Sequence, residues 1–368
     1  MKISSDFTSG NIHCIAAAAP DNIRLSILPD HDSKEMQWFY FCLTGAANAS
    51  CRMVIENAGQ VSYVDGFRDY HAVASYDQDT WFRVPTDFDG ESLTIRHQPT
   101  RDEVYYAYFA PYTLAQHRQL INRARESSLV SYQSLGKTPD GHEIELLTVG
   151  EAGAGKKTAW IIARQHPGET MAEWWMEGCI GRLLDSDDSV AGKLLSQYVF
   201  YLVPNMNPDG SARGHLRTNA CGRDLNRAWL EPSEAATPEV FVVRQKMQQT
   251  GVDFCLDVHG DEALPYNFIA GAEGVPDWSP TRQQELDGYR HHLAELNPEF
   301  QTRYGYPVAA PGQGNLSMCT NYIAQHFGCL AMTLEMPFKD AANAPEPQQG
   351  WSPARCRKLA RSCLEAML

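Results

Sequence analysis

At 368 residues the chain exceeds one small domain, and its 43% hydrophobic and 10% aromatic content supplies a sizeable core and excludes a disordered class. A net charge of −14 argues against a nucleic acid or an anionic membrane as partner, since either calls for a basic face. No apolar run reaches the roughly eighteen residues of a membrane span, and the first residues lack a signal-peptide core. The ten cysteines are scattered, with no C-x-x-C pair, and read as reduced, buried thiols of a cytoplasmic protein.

Residues 1–112 carry the pattern of an all-β domain. Ile23, Leu25 and Ile27 alternate with polar neighbours, as do Leu93 and Ile95. The runs M-Q-W-F-Y-F-C-L and V-Y-Y-A-Y-F are aromatic-rich, and turn signals such as E-N-A-G and D-F-D-G separate such segments. No long helical period interrupts them, so the expectation is a β-sandwich.

From Thr113 the texture changes. Thr113 is placed to cap a helix through L-A-Q-H-R-Q-L-I-N-R-A-R. The apolar segments T-A-W-I-I-A, Y-V-F-Y-L-V, F-C-L-D-V and C-L-A-M-T-L then alternate with helical stretches. Thr237-Pro238, Ser279-Pro280 and Ser352-Pro353 mark helix starts, and Leu286, Tyr289, Leu293 and Leu296 share one helix face. Residues 113–368 therefore read as an α/β domain with a mixed or mostly parallel sheet.

Chemistry gathers where those strands end. In R-Q-H-P-G-E, His166 and Glu169 sit three apart on the turn after T-A-W-I-I-A. Two metal-capable side chains on such a turn raise the question of zinc, which would need a third protein ligand and leave one position for water. His259, closing the strand C-L-D-V-H, is the candidate, because open α/β sheets collect their sites at the carboxyl ends of strands. A long polar loop with several arginines follows Y-V-F-Y-L-V, which is unusual for a purely structural connection.

The ordered series H-P-G-E, N-P-D-G, R-D-L-N-R, D-V-H-G and T-L-E-M-P-F resembles the zinc carboxypeptidases of the carboxypeptidase A type. The preceding all-β segment and the junction F-A-P-Y-T are similar to those of the cytosolic carboxypeptidases. The resemblance implies one zinc per chain held by His166, Glu169 and His259, with Asp224 fixing His166. It implies that Asn226 and Arg227 grip a terminal carboxylate, that Arg217 polarises the scissile carbonyl, and that Glu335 is the general base. The implied substrate is the C-terminus of a peptide or protein tail.

Two other readings use the same residues. A zinc-dependent deacylase of N-acyl amino acids would share the H-x-x-E…H site but not the sandwich. A non-catalytic zinc-binding recognition protein would have little use for Glu335. The resemblance also has a gap, because the family's substrate-capping tyrosine has no counterpart in A-P-G-Q-G-N-L-S-M-C-T, although Tyr304, Tyr306 and Tyr322 lie near in sequence. No basic residue in that segment matches an acidic substrate side chain, which leaves the side-chain preference open.

Overall fold

The computed structural model describes residues 1–368. Its first ten strands are β1 (Lys2–Ser4), β2 (His13–Ala19), β3 (Asn22–Ser26), β4 (Tyr40–Thr44) and β5 (Cys51–Ile55), followed by β6 (Val73–Ser75), β7 (Phe82–Arg83), β8 (Thr86–Phe88), β9 (Leu93–His97) and β10 (Glu103–Ala107). They form two five-stranded sheets, in the orders β1-β4-β10-β6-β7 and β2-β3-β5-β9-β8. Ile23, Leu25, Leu93 and Ile95 are fully buried, as their alternation requires when one face meets a core. The aromatic run 36–43 is strand only from Tyr40 onward. Ahead of it the Gln37 side chain pairs with both backbone groups of Tyr63, replacing a ladder partner.

The junction is held tightly. The carbonyl of Ala110 accepts from Thr170 Oγ1 at 2.8 Å and from Trp174 Nε1 at 3.0 Å. Tyr108 stacks on Phe338 with centroids 4.5 Å apart. Thr113 and Gln116 form a reciprocal capping box at the start of α1 (Leu114–Arg125). One hydrophobic core of 72 residues runs through both parts of the chain without a break, so burial does not separate them.

Beyond α1 lie the strands β11 (Val130–Lys137), β12 (Glu143–Val149), β13 (Lys157–Ala163), β14 (Tyr198–Val203), β15 (Phe254–Asp261), β16 (Phe268–Ala270) and β17 (Leu330–Pro337). They build one mixed sheet in the order β11-β12-β14-β13-β15-β17-β16. The four central strands, β14, β13, β15 and β17, run parallel. Helices cover both faces. Ala159, Ile161 and Ala163 of β13 join the core that contains α2 (Met171–Leu183) and α8 (Pro353–Glu365). Trp160 and Ile162 join the opposite core, with α5 (Pro238–Thr250) and α7 (Cys319–Phe327). A strand buried on both faces reads as a continuous apolar run, which is the pattern of T-A-W-I-I-A.

Of the three proline-marked helix starts, only Ser279 caps with its side chain, accepting from Arg282 N at 3.2 Å. Thr237 and Ser352 make no such bond. All three helices have proline in the first turn, which removes one unpaired donor, so the proline marks these starts whether or not the preceding side chain caps. No helix is long and apolar enough to cross a membrane.

Candidate metal and catalytic site

Strand order decides where the site lies. β13 is followed in sequence by β14 on one side, while β15 pairs with its other side. The connections leave the carboxyl ends of β13 and β15 in opposite directions, which opens a crevice between them. His166 follows β13, and His259 lies at the end of β15.

The turn itself is braced from below. Arg164 adopts a left-handed conformation with φ of 58°, and its guanidinium bonds the carbonyls of Pro167 (2.9 Å) and Tyr112 (2.7 Å) and pairs with Glu173. That bracing sets the direction in which the following Gln-His-Pro-Gly-Glu leaves the sheet.

His166, Glu169 and His259 converge: one ligand atom from each lies within 4.8 Å of the others, and all three residues are buried. Glu169 Oε1 is 2.6 Å from His166 Nδ1, and Oε2 is 2.7 Å from His259 Nδ1. The opposite ring nitrogens are occupied. His166 Nε2 donates to Asp224 Oδ1 at 3.0 Å, and His259 Nε2 meets Asp257 Oδ2 at 3.0 Å. Carboxylates on the outer nitrogens leave Nδ1 of both rings as the lone-pair donors toward the shared point. Two imidazole nitrogens and one carboxylate oxygen so arranged fit a zinc ion.

The charges follow from this packing. Burial pushes the Glu169 carboxyl up, but His166 and His259 outweigh it and hold it well below the usual carboxylate range. Burial likewise raises Asp224, and His166 with the Arg217 and Arg227 guanidiniums overcomes it, keeping Asp224 ionised. Glu335 faces the other way. Burial raises its pKa well above the ordinary value against the pull of His259, with Glu169, Asp261 and Glu262 adding to the rise. A dication at the triad would draw it down again.

Glu335 stands directly across from His259 in the β15–β17 register, and its Oε2 has no protein partner. It borders a cavity of about 470 Å³ also lined by Asn226, Tyr306, Arg290, Thr320 and Thr333. Asn226 is buried, and its Oδ1 accepts from Cys319 N at 2.9 Å, which leaves Nδ2 free of protein partners. Arg227 is exposed and donates from Nη1 to the Asn226 carbonyl at 2.8 Å. Arg217 is tied through Nε to Asp224 Oδ2 at 2.9 Å, and its Nη atoms make no hydrogen bond to protein.

Three features of the site were not read from the sequence. Asp257 as the partner of His259 had a signal, because residues two apart on a strand share a face. Gln165 bonds Asp257 Oδ2 at 2.7 Å and accepts from Trp229 Nε1 at 2.9 Å, a link with no local signature. Among the unassigned tyrosines, Tyr304 and Tyr306 line the cavity, whereas Tyr322 is buried and stacks on His326. Tyr306 packs edge-on to Phe268 and donates to Asp261 Oδ2 at 2.6 Å.

Residues 3–109 match the family model for the cytosolic carboxypeptidase N-terminal domain, and residues 118–355 match that for zinc carboxypeptidases. An uncharacterized protein of Zymomonas mobilis is 48% identical over 99% of this chain and 95% of its own length. Cytosolic carboxypeptidase 6 of Caenorhabditis elegans is 27% identical over 91% of this chain and 78% of its own. Among solved structures, a metallo-carboxypeptidase from Pseudomonas aeruginosa, in complex with (2-guanidinoethylmercapto)succinic acid, superposes with a TM-score of 0.98. It is 47% identical, and the match covers 100% of this chain and 98% of that one.

Proposed function

The chain belongs to the zinc carboxypeptidase family and is a metallocarboxypeptidase, a hydrolase; from that premise we propose how its own residues remove the last residue of a peptide or protein tail. The observation that carries the reading is the convergence of His166, Glu169 and His259 on one point, with Glu335 in register beside it.

In this reading the three residues hold one zinc per chain, in a catalytic domain of residues 113–368 preceded by a sandwich of residues 1–112. When bound, zinc lowers the pKa of water to about 7 and polarises the scissile carbonyl. Glu335 takes the proton of the attacking water at its unpartnered oxygen and returns it to the leaving amine. The free Nη atoms of Arg217 meet the carbonyl oxygen as negative charge develops there. Asn226 Nδ2 and the Arg227 guanidinium pair with the terminal carboxylate, and the planar fork of arginine suits it. The ligand named for the Pseudomonas relative is itself a carboxylic acid, in keeping with carboxylate recognition. The cavity beside Glu335 then receives the terminal side chain. Ten free cysteines and the cytosolic relatives support a cytoplasmic location.

The test is a pair of peptides differing only in a free or amidated C-terminus. Amidation removes the charge that Arg227 would meet, and losing one partner of a charge pair that bound substrate seals from water costs about 2 kcal/mol at the low end. Cleavage of the amide is expected to be at least about thirtyfold slower, with most of the difference erased in Arg227→Ala. Equal rates on both peptides would point instead to an endopeptidase or a deacylase.

A further inference from the structure

Asp30 belongs to the N-terminal sandwich, yet every bond its carboxylate makes is to the loop that carries Arg217. Oδ1 accepts from Leu216 N at 2.6 Å. Oδ2 accepts from Arg217 N and Thr218 N, both at 2.8 Å, and from Thr218 Oγ1 at 3.0 Å. Asp30 is 2% exposed and has no lysine, arginine or histidine partner. Successive backbone N–H groups curled around an anion make a concave binding site for it, and hydrogen bonds to an ionised acceptor are the strong kind.

The rest of the contact has the same sense. Ser9 N donates to Ala212 O at 2.8 Å, and Ser9 Oγ to Ser211 O at 2.7 Å. Asn11 Nδ2 donates to Gly214 O at 3.0 Å, and His31 N to His215 Nε2 at 3.1 Å. Two glycines permit the approach. Gly214 has φ of +71°, and a Cβ there would lie 2.6 Å from Gly10 O; Gly222 has φ of +66°, and a Cβ there would lie 2.5 Å from Asp32 O. A loop shaped this way is moulded to the sandwich, not merely adjacent to it.

From this anchor the contacts run inward. Arg217 donates to Asp224 Oδ2, whose other oxygen holds His166. Tyr63, also of the sandwich, sits under the Arg217 guanidinium, with its ring centroid 5.8 Å away. We propose that Asp30 is a positioning residue of the peptidase reaction: the sandwich uses its carboxylate to fix the backbone of residues 216–218 and thereby aims Arg217 at the scissile carbonyl. The inference rests on the role of Arg217 given above.

The experiment is a double-variant cycle on the zinc-loaded full chain, with kcat, KM, zinc content and melting temperature measured for each protein. Arg217→Ala is expected to lower kcat about 100- to 1,000-fold, as loss of a transition-state donor does. Asp30→Ala is expected to lower kcat about 10- to 100-fold through misplacement of that donor, with KM and zinc content held. The double variant should be no slower than Arg217→Ala within about threefold, because a residue acting only through Arg217 has nothing left to lose. An additive double variant would overturn the proposal while leaving Arg217 its role, and so would Asp30→Ala at the wild-type rate. If Arg217→Ala alone ran within about twofold of wild type, the role of Arg217 and the positioning proposal would both be retired. Should Asp30→Ala fail to fold, Thr218→Val deletes only one of the four bonds. It is expected to lose about two- to tenfold in kcat with the same non-additivity, and an unchanged or additive rate would overturn the proposal.

Discussion

His166 with Glu169, and His117 with Glu173, are both buried imidazole–carboxylate pairs, and their two glutamates lie four residues apart where α2 begins. Around His117 the partners close on themselves. Its ring bridges Glu173 Oε1 and Glu145 Oε2, each at 2.7 Å, while Glu173 Oε2 accepts from Arg164 and from Asn205 Nδ2. A fixed guanidinium supplies the cation, and both Glu173 oxygens are satisfied. Around His166 one carboxylate is shared by two rings, three ligand atoms face one point, and Glu335 Oε2 and Asp257 Oδ1 remain unpartnered. Similar residue types thus build a self-satisfied structural knot in one place and a convergent set of metal-capable ligand atoms in the other. The difference lies in what converges, not in which residues are buried.

The strongest way to break this comparison is through the metal. His166→Ala or His259→Ala should drop bound zinc from about one per chain to background, and peptidase activity with it. His117→Gln should keep its zinc. Metal analysis after dialysis decides between them, and zinc loss in His117→Gln matching that in His166→Ala would erase the distinction.

Glu335→Gln sharpens it from inside the site. The change is nearly isosteric and leaves the three ligands in place, so zinc should stay while kcat falls about a hundred- to ten-thousandfold. Turnover within about twofold of wild type would remove Glu335 from proton transfer.

The smallest effect belongs to the knot and is read as stability. His117→Gln breaks a buried charge network and should cost about 3–5 kcal/mol in urea unfolding at neutral pH. Burial lowers the His117 pKa, but Glu173 and Glu145 overcome it and raise it from 6.5 to about 9. The folded state therefore holds this proton more tightly than the unfolded chain. The contribution is fully present below about pH 6.5 and is lost as pH rises through about 9. Roughly 3 kcal/mol of the gap between wild type and His117→Gln should thus disappear between pH 6 and pH 10. A gap that stayed constant over that range would mean His117 is neutral in the folded protein.

Much of this was legible in the residues, because much of it is local. Alternation at period two set the sandwich strands, and a doubly buried strand had to read as T-A-W-I-I-A. Thr113 marked the start of α1, and His166 with Glu169 marked a strand-to-helix turn that could hold a metal. Each of these depends on neighbours within a few residues, where backbone geometry fixes which side chains face one way. What lay beyond that range was decided by the tertiary structure. Glu335 comes beside His259 only because β15 and β17 pair in parallel in one register, and sliding that pairing by one residue would turn Glu335 to the other face. Asp30 reaches the Arg217 loop across 186 to 188 positions of chain. No periodicity encodes that contact. It exists because the two parts of the chain share one apolar core, and the area they bury against each other holds the sandwich where a carboxylate can meet three backbone N–H groups.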